Sequence, residues 1–192
     1  RTPGSEPDFT RGFDVEAARR VIGDDAPALL AALCARSLLE LRGDRYAGYT
    51  FVREYSAARL AADPETERAV RRRHAEAYAD LCDARHVRKL SPDRMNLVVA
   101  TERAAAAGWG DTAGRTALGV LAIVSQEGPL ELGAEIVRQA LAVADVPLRE
   151  RVLLGLGLSF LEQSSAVGDP IATIEGALAL ARTTGDPDLV AS

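Results

Sequence analysis

The last third of this chain repeats itself. Leu118-Gly119 recurs as Leu156-Gly157, 38 residues later, and Ala140-Leu141 recurs as Ala177-Leu178, 37 residues later. Each copy reads as a helix, a glycine-containing turn (Gly128-Pro129; Gly168-Asp169-Pro170) and a second helix. Asp145-Val146-Pro147 closes the first unit and Gly185-Asp186-Pro187 closes the second. A period in the high thirties made of helix pairs predicts an α-solenoid, because one pair cannot bury its apolar face alone and must stack on its neighbour. The Leu-Gly pair has a physical role there: glycine on the first helix of a unit lets its partner helix approach closely. The alternative is two amphipathic hairpins alike by chance. The composition suits close packing. The chain is 47% hydrophobic but only 5% aromatic, so its core must come mainly from Ala, Leu and Val.

Ahead of the repeats, Glu65 to Arg85 reads as one long helix. Pro92 restarts the chain, Met95 to Ala107 follows, and Gly108-Trp109-Gly110-Asp111 breaks it. The first sixty residues are different. Phe13 to Ile22 reads as a short helix with Asp14 as N-cap, an apolar stripe of Ala17, Ala18, Val21 and Ile22, and Gly23 as its stop. Asp25-Ala26-Pro27 opens a second helix, with proline in the first turn where its missing N–H costs nothing. Its Leu29, Leu30, Leu33 and Cys34 are expected to form one buried face. Leu38 to Leu41 and Arg45 to Tyr49 flank Arg42-Gly43-Asp44, a hairpin signal. A third helix begins at Tyr49 or Thr50, carries Phe51, Val52, Tyr55 and Leu60, and ends at Ala62-Asp63-Pro64.

Charge is distributed unevenly. Residues 1–62 carry nine basic against nine acidic side chains, and residues 65–94 carry eight against six. Residues 95–192 carry six against twelve. A nucleic-acid binder usually shows a basic face, and here the larger half is acidic. Lys89 is the sole lysine among 23 basic residues, a bias that points to a GC-rich genome. No apolar run of about 18 residues is present, so a transmembrane helix is not expected. The first eight residues hold no apolar signal core, and the cytoplasm is the default address. Cys34 and Cys82, far apart in sequence, are expected to stay reduced.

There is no Gly-x-x-x-x-Gly-Lys-Ser/Thr phosphate loop and no Gly-x-Ser-x-Gly elbow, so no catalytic residue is assigned and the chain is not expected to be an enzyme. Gly155-Leu156-Gly157-Leu158-Ser159 sits inside a helical pattern and is read as packing. His74, Tyr78, Cys82 and His86, spaced by four, line one helical face if that helix runs so far. Cys82 and His86 could grip zinc, but a structural site needs four ligands and only Cys34 remains beyond His74. A half-buried packing face is preferred and no metal is assigned. Arg71-Arg72-Arg73 fans out around a helix at about 100° per residue. With Glu67, Glu76 and Asp80 within pairing distance, it is read as a solvated face.

The order of these elements carries a resemblance. Gly12-Phe13 with the preceding Phe9-Thr10-Arg11, then Leu29, Leu33, Ser37-Leu38-Leu39, Arg45-Tyr46-Ala47-Gly48-Tyr49 and Arg53-Glu54-Tyr55, resemble the winged-helix segment of NB-ARC-type STAND regulators. Asn96-Leu97 and the Ala-rich helix after it resemble the linker between such winged helices and their tetratricopeptide-like repeats. The resemblance implies a mainly α fold: a winged helix with a small β-hairpin over about 1–62, a helical linker over 63–110, and tetratricopeptide-like repeats over 111–192. It implies a non-catalytic regulatory fragment whose repeats bind a protein, peptide or small inducer, and whose lid reports to an upstream nucleotide-binding core that takes ADP or ATP. With Ala191-Ser192 standing where a further helix should begin, the chain reads as a piece of a longer protein. The family's Met-His-Asp motif aligns with Gly48, Tyr49 and Thr50, so the phosphate-sensing histidine is replaced by Tyr49, whose hydroxyl can donate a hydrogen bond. The alternative function is a DNA-binding winged-helix regulator. Its recognition helix, Pro27 to Arg36, would offer only Arg36 for base readout.

Overall fold

The computed structural model describes residues 12–84 and 86–184. Phe9, Thr10, Arg11, the Gly185-Asp186-Pro187 stop and Ala191-Ser192 lie outside the described residues. The protein is mainly helical, with one small three-stranded antiparallel sheet. Among the described residues no helix is long and apolar enough to cross a membrane.

The front part contains β1 (Phe13–Asp14), α1 (Val15–Ile22), α2 (Ala26–Ala35), β2 (Leu39–Arg42), β3 (Arg45–Gly48) and α3 (Thr50–Ala61). Asp14 caps α1 as expected: its carboxylate accepts from the Ala17 N–H at 2.7 Å. Gly23, at φ 90°, ends the helix. The hairpin forms where the sequence placed it, with Arg42 opposite Arg45 across a two-residue turn. Gly43 sits at φ 61°, the positive value such turns demand. The sheet order is β1-β3-β2. Phe13 was expected to begin a helix. It is instead a strand residue paired with Tyr46, and the two rings stack at 6.0 Å.

The remainder is helical: α4 (Pro64–Ala84), α5 (Val87–Leu90), a 3-10 turn (Ser91–Asp93), α6 (Arg94–Ala106), α7 (Gly110–Glu127), α8 (Leu130–Leu141), α9 (Leu148–Ser165) and α10 (Pro170–Thr184). Helix α4 packs on α6, α7 on α8, and α9 on α10, while α7 and α9 each also contact both helices of the preceding pair. One core runs through them, containing Tyr78, Leu81, Leu97, Val120, Ile123, Val137, Leu154 and Leu161. Buried polar groups on α6, α7 and α9 are satisfied in place. The Thr101 hydroxyl meets that of Thr116 at 2.9 Å between α6 and α7. Glu162, on α9, accepts from Arg138 of α8 and Thr173 of α10, both at 2.8 Å.

Glycine and alanine set the helix separations. A Cβ on Gly119 would run into the Sγ of Cys82 on α4, and one on Gly157 into Leu121 on α7. The Leu-Gly glycines therefore serve close approach, but to the preceding pair rather than to their own hairpin partner. That second task falls to Gly133, against Val124 of α7, and to Gly155, where a Cβ would stand 2.8 Å from Ala177 Cβ on α10. The glycine-rich Gly155–Ser159 stretch is thus helical packing, and the Ser159 hydroxyl donates to the Pro170 carbonyl at 3.1 Å.

Candidate functional site

Helix α2 is made entirely of apolar residues, yet only Ala26 and Leu30 are buried. The expected buried face is only half realised: Leu29 is 48% and Leu33 37% exposed. The pattern of α2 marks which residues are apolar. It does not supply a neighbour, and α1 with β2 covers only one side of the helix. Helix α3 is barer still. None of its residues is buried, Phe51 and Tyr55 are 65% and 68% exposed, and its main packing neighbour is α4.

Between these elements lies a groove of about 660 Å³. One wall is α1, α2 and the sheet, through Val21, Leu30, Leu33 and Leu39; the other is α3, through Phe51, Val52 and Tyr55. Tyr78 and His74 of α4 complete the lining together with Asn96. Volume and apolar lining match a small-molecule pocket. Among the described residues Arg53 is the single arginine, lysine or carboxylate side chain in this lining. It is half-buried, and its hydrogen-bond partner is the Thr50 hydroxyl at 3.3 Å.

His74 lies against the ring of Tyr78, centroids 4.8 Å apart. Its Nδ1 is buried and finds no partner among the described residues. Burial, and then the positive charge of Arg103, push its pKa down to about 4, so the imidazole is neutral at pH 7. Cys82, one turn on from Tyr78, is driven the other way. Burial first, then the charge of Asp83, raise its thiol to about 12 against the opposing pull of Arg115. It remains a thiol and packs; both cysteines are free. His86 does not extend this row, because α4 ends at Ala84 and His86 is the exposed residue before α5. No group of three or more metal-ligating side chains comes together among the described residues.

A polar node ties the groove to the helices behind it. Asp93, fully buried before α6, accepts from Arg45 of β3 at 2.7 Å and from Asn96 at 3.1 Å. Arg45 also donates to the carbonyls of Gly12 and of Pro92, and Asn96 donates to the Gly12 carbonyl at 3.0 Å. A buried carboxylate is tolerated only when its oxygens are satisfied in this way. The sequence reading missed the node, whose members are separated by up to 84 positions.

Tyr49 stands outside the groove lining. It is 38% exposed at the start of α3, with its ring stacked on Phe51 at 5.8 Å. Its neighbour Gly48 lines the groove, and the Thr50 hydroxyl holds Arg53. Farther away, Arg71 pairs with Glu67 at 2.6 Å and Arg72 with Glu76 at 2.8 Å, as a solvated face should. Asp80 departs from that expectation. It bonds Arg115 of α7 at 2.8 Å, beside Asp83. Burial opposes the charge on Arg115, but its bonds to Asp80 and Asp83 outweigh that and raise its pKa. Arg72 also lies over the Trp109 ring at 5.8 Å.

Comparison of the chain with family models, with curated proteins and with solved structures gives no match.

Proposed function

We propose that this chain is a regulatory, protein-binding segment in which a winged-helix-like lid is joined to a short tetratricopeptide-like solenoid, and that the lid docks on a nucleotide-binding core of the STAND type. The carrying observation is the wholly apolar α2, which leaves Ala28, Leu29 and Ala32 on the surface. A single exposed leucine is ordinary, but a helix without one polar side chain and buried on one side only is suited to a partner. The same helix offers a DNA groove little beyond Arg36, which favours a protein partner over nucleic acid.

The solenoid reading is supported by the pairing of α4 with α6, α7 with α8 and α9 with α10, and by the 38-residue recurrence of the Leu-Gly glycines at equivalent packing positions. In this account a protein, peptide or small inducer bound on the repeats reaches the lid through the node of Arg45, Asp93 and Asn96. ADP or ATP would be held by the core, with Tyr49 as the candidate for sensing it.

The coding sequence ahead of Arg1 tests the reading. A phosphate loop within a few hundred codons is expected. In the polypeptide that carries it, Leu29→Asp is expected to speed ADP release by about tenfold by unseating the lid. A missing phosphate loop, or unchanged ADP release in Leu29→Asp, would rule the reading out.

A further inference from the structure

We propose that the groove bounded by α1, α2, the sheet and α3 binds an amphiphilic small-molecule anion: a hydrocarbon body carrying one carboxylate, held by Arg53. The inference stands apart from the lid reading, since it requires only the groove.

Two observations carry it. The first is shape and lining. The volume of about 660 Å³ falls in the range of small-molecule sites, and the walls present Val21, Leu33, Leu39, Val52 and Tyr55. Such a surface gains by taking hydrocarbon out of water. The second is charge. Among the described residues the lining holds one cation and no carboxylate. Arginines that reach across to other elements find strong acceptors: Arg45, Arg115 and Arg138 meet the carboxylates of Asp93, Asp80 and Glu162, and Arg94 and Arg151 meet backbone carbonyls. Arg53 is half-buried at the groove and, among the described residues, meets no carboxylate. A planar guanidinium in that position matches a carboxylate better than any neutral group. An apolar pocket with one unmatched cation selects a ligand that is apolar along its length and anionic at one end. Ser56, one turn beyond Val52 on the same helix, adds a hydroxyl to the lining.

The test compares decanoate with 1-decanol, two probes of equal chain length, by isothermal titration calorimetry on the whole chain at neutral pH. In a groove without a cation, decanol would win, because the carboxylate loses hydration. Here decanoate is expected to bind about tenfold more tightly than decanol, the usual gain from a charge-assisted hydrogen bond. Arg53→Met keeps the apolar stem and is expected to erase that advantage, leaving decanol within about twofold of its original affinity. Val52→Trp fills the groove from the loosely packed α3 and is expected to weaken both probes by at least about tenfold while the circular dichroism stays unchanged. The proposal is overturned if neither probe binds, if wild type fails to prefer decanoate, if Arg53→Met keeps the preference, or if both probes bind Val52→Trp undiminished.

Discussion

Leu30 of α2 and Leu97 of α6 are both buried, but in different company. Leu30 shares its cluster with two other buried residues, Ala18 and Ala26, whereas Leu97 belongs to one of 22. The front part, through α3, leaves Leu29, Leu33, Phe51 and Tyr55 in solvent, and the α9–α10 end leaves Phe160, Val167 and Ile171, while α4–α8 close on one another through alanines and glycines. Helices α4–α8 thus satisfy themselves, while the front part, like the α9–α10 end, is apolar enough to need something more. Surplus apolar surface costs solubility and is retained where something covers it, which marks the front part and the α9–α10 end, rather than α4–α8, as faces suited to a partner.

The contrast can be broken first by truncation. Leu97→Ala or Leu154→Ala is expected to cost about 3 kcal/mol in urea unfolding, as buried leucines do. Phe51→Ala and Tyr55→Ala should each stay within about 0.5 kcal/mol, as exposed positions do. Comparable losses in the two regions would erase the distinction. Next comes pH. His74 is neutral in the fold down to about pH 4, whereas in the unfolded chain it takes up a proton below about 6.5. The unfolded state therefore binds more protons between those values, and stability falls as pH drops through that window and levels off below it. The contribution is up to about 3 kcal/mol. It is read as the difference between wild type and His74→Leu at pH 7 and pH 4.5, which should shrink toward the acid end.

A smaller effect is expected at the glycines. A Cβ on Gly110 would collide with the backbone of Asp145 and Val146, which cannot rotate away, so Gly110→Ala should cost about 2 kcal/mol despite its better helix propensity. Gly176 on α10 meets nothing, and Gly176→Ala should be neutral or stabilising by up to about 1 kcal/mol. Thermal melts of the two variants decide the point. At the join, Arg45→Met is expected to cost about 2 kcal/mol by withdrawing a guanidinium from the buried Asp93.

What the sequence disclosed follows from range. The Asp14 cap, the Gly43 turn, the breaks at Pro64, Pro92 and Gly108, and the helix pairs after Gly110 depend on residues a few positions apart, and all were legible. Strand β1 was not, because two residues become a strand only by meeting Tyr46 and Arg45. The apolar stripe of α2 was visible, but whether anything in the chain would cover it was not. The role of Gly119 was half legible: close approach was inferred, but its neighbour is Cys82 rather than a residue of α8. The groove itself, assembled from three helices of the front part, the sheet and α4, has no local signature.

Amide hydrogen exchange of the chain, followed helix by helix, tests the central contrast most directly. Amides of Thr50–Ala61 in α3 are expected to exchange by local opening, orders of magnitude faster than those of Gly110–Glu127 in α7, with α2 close to α3. Equal protection of α2, α3 and α7 would contradict the account, because the front part would then be as complete in isolation as the helices behind it.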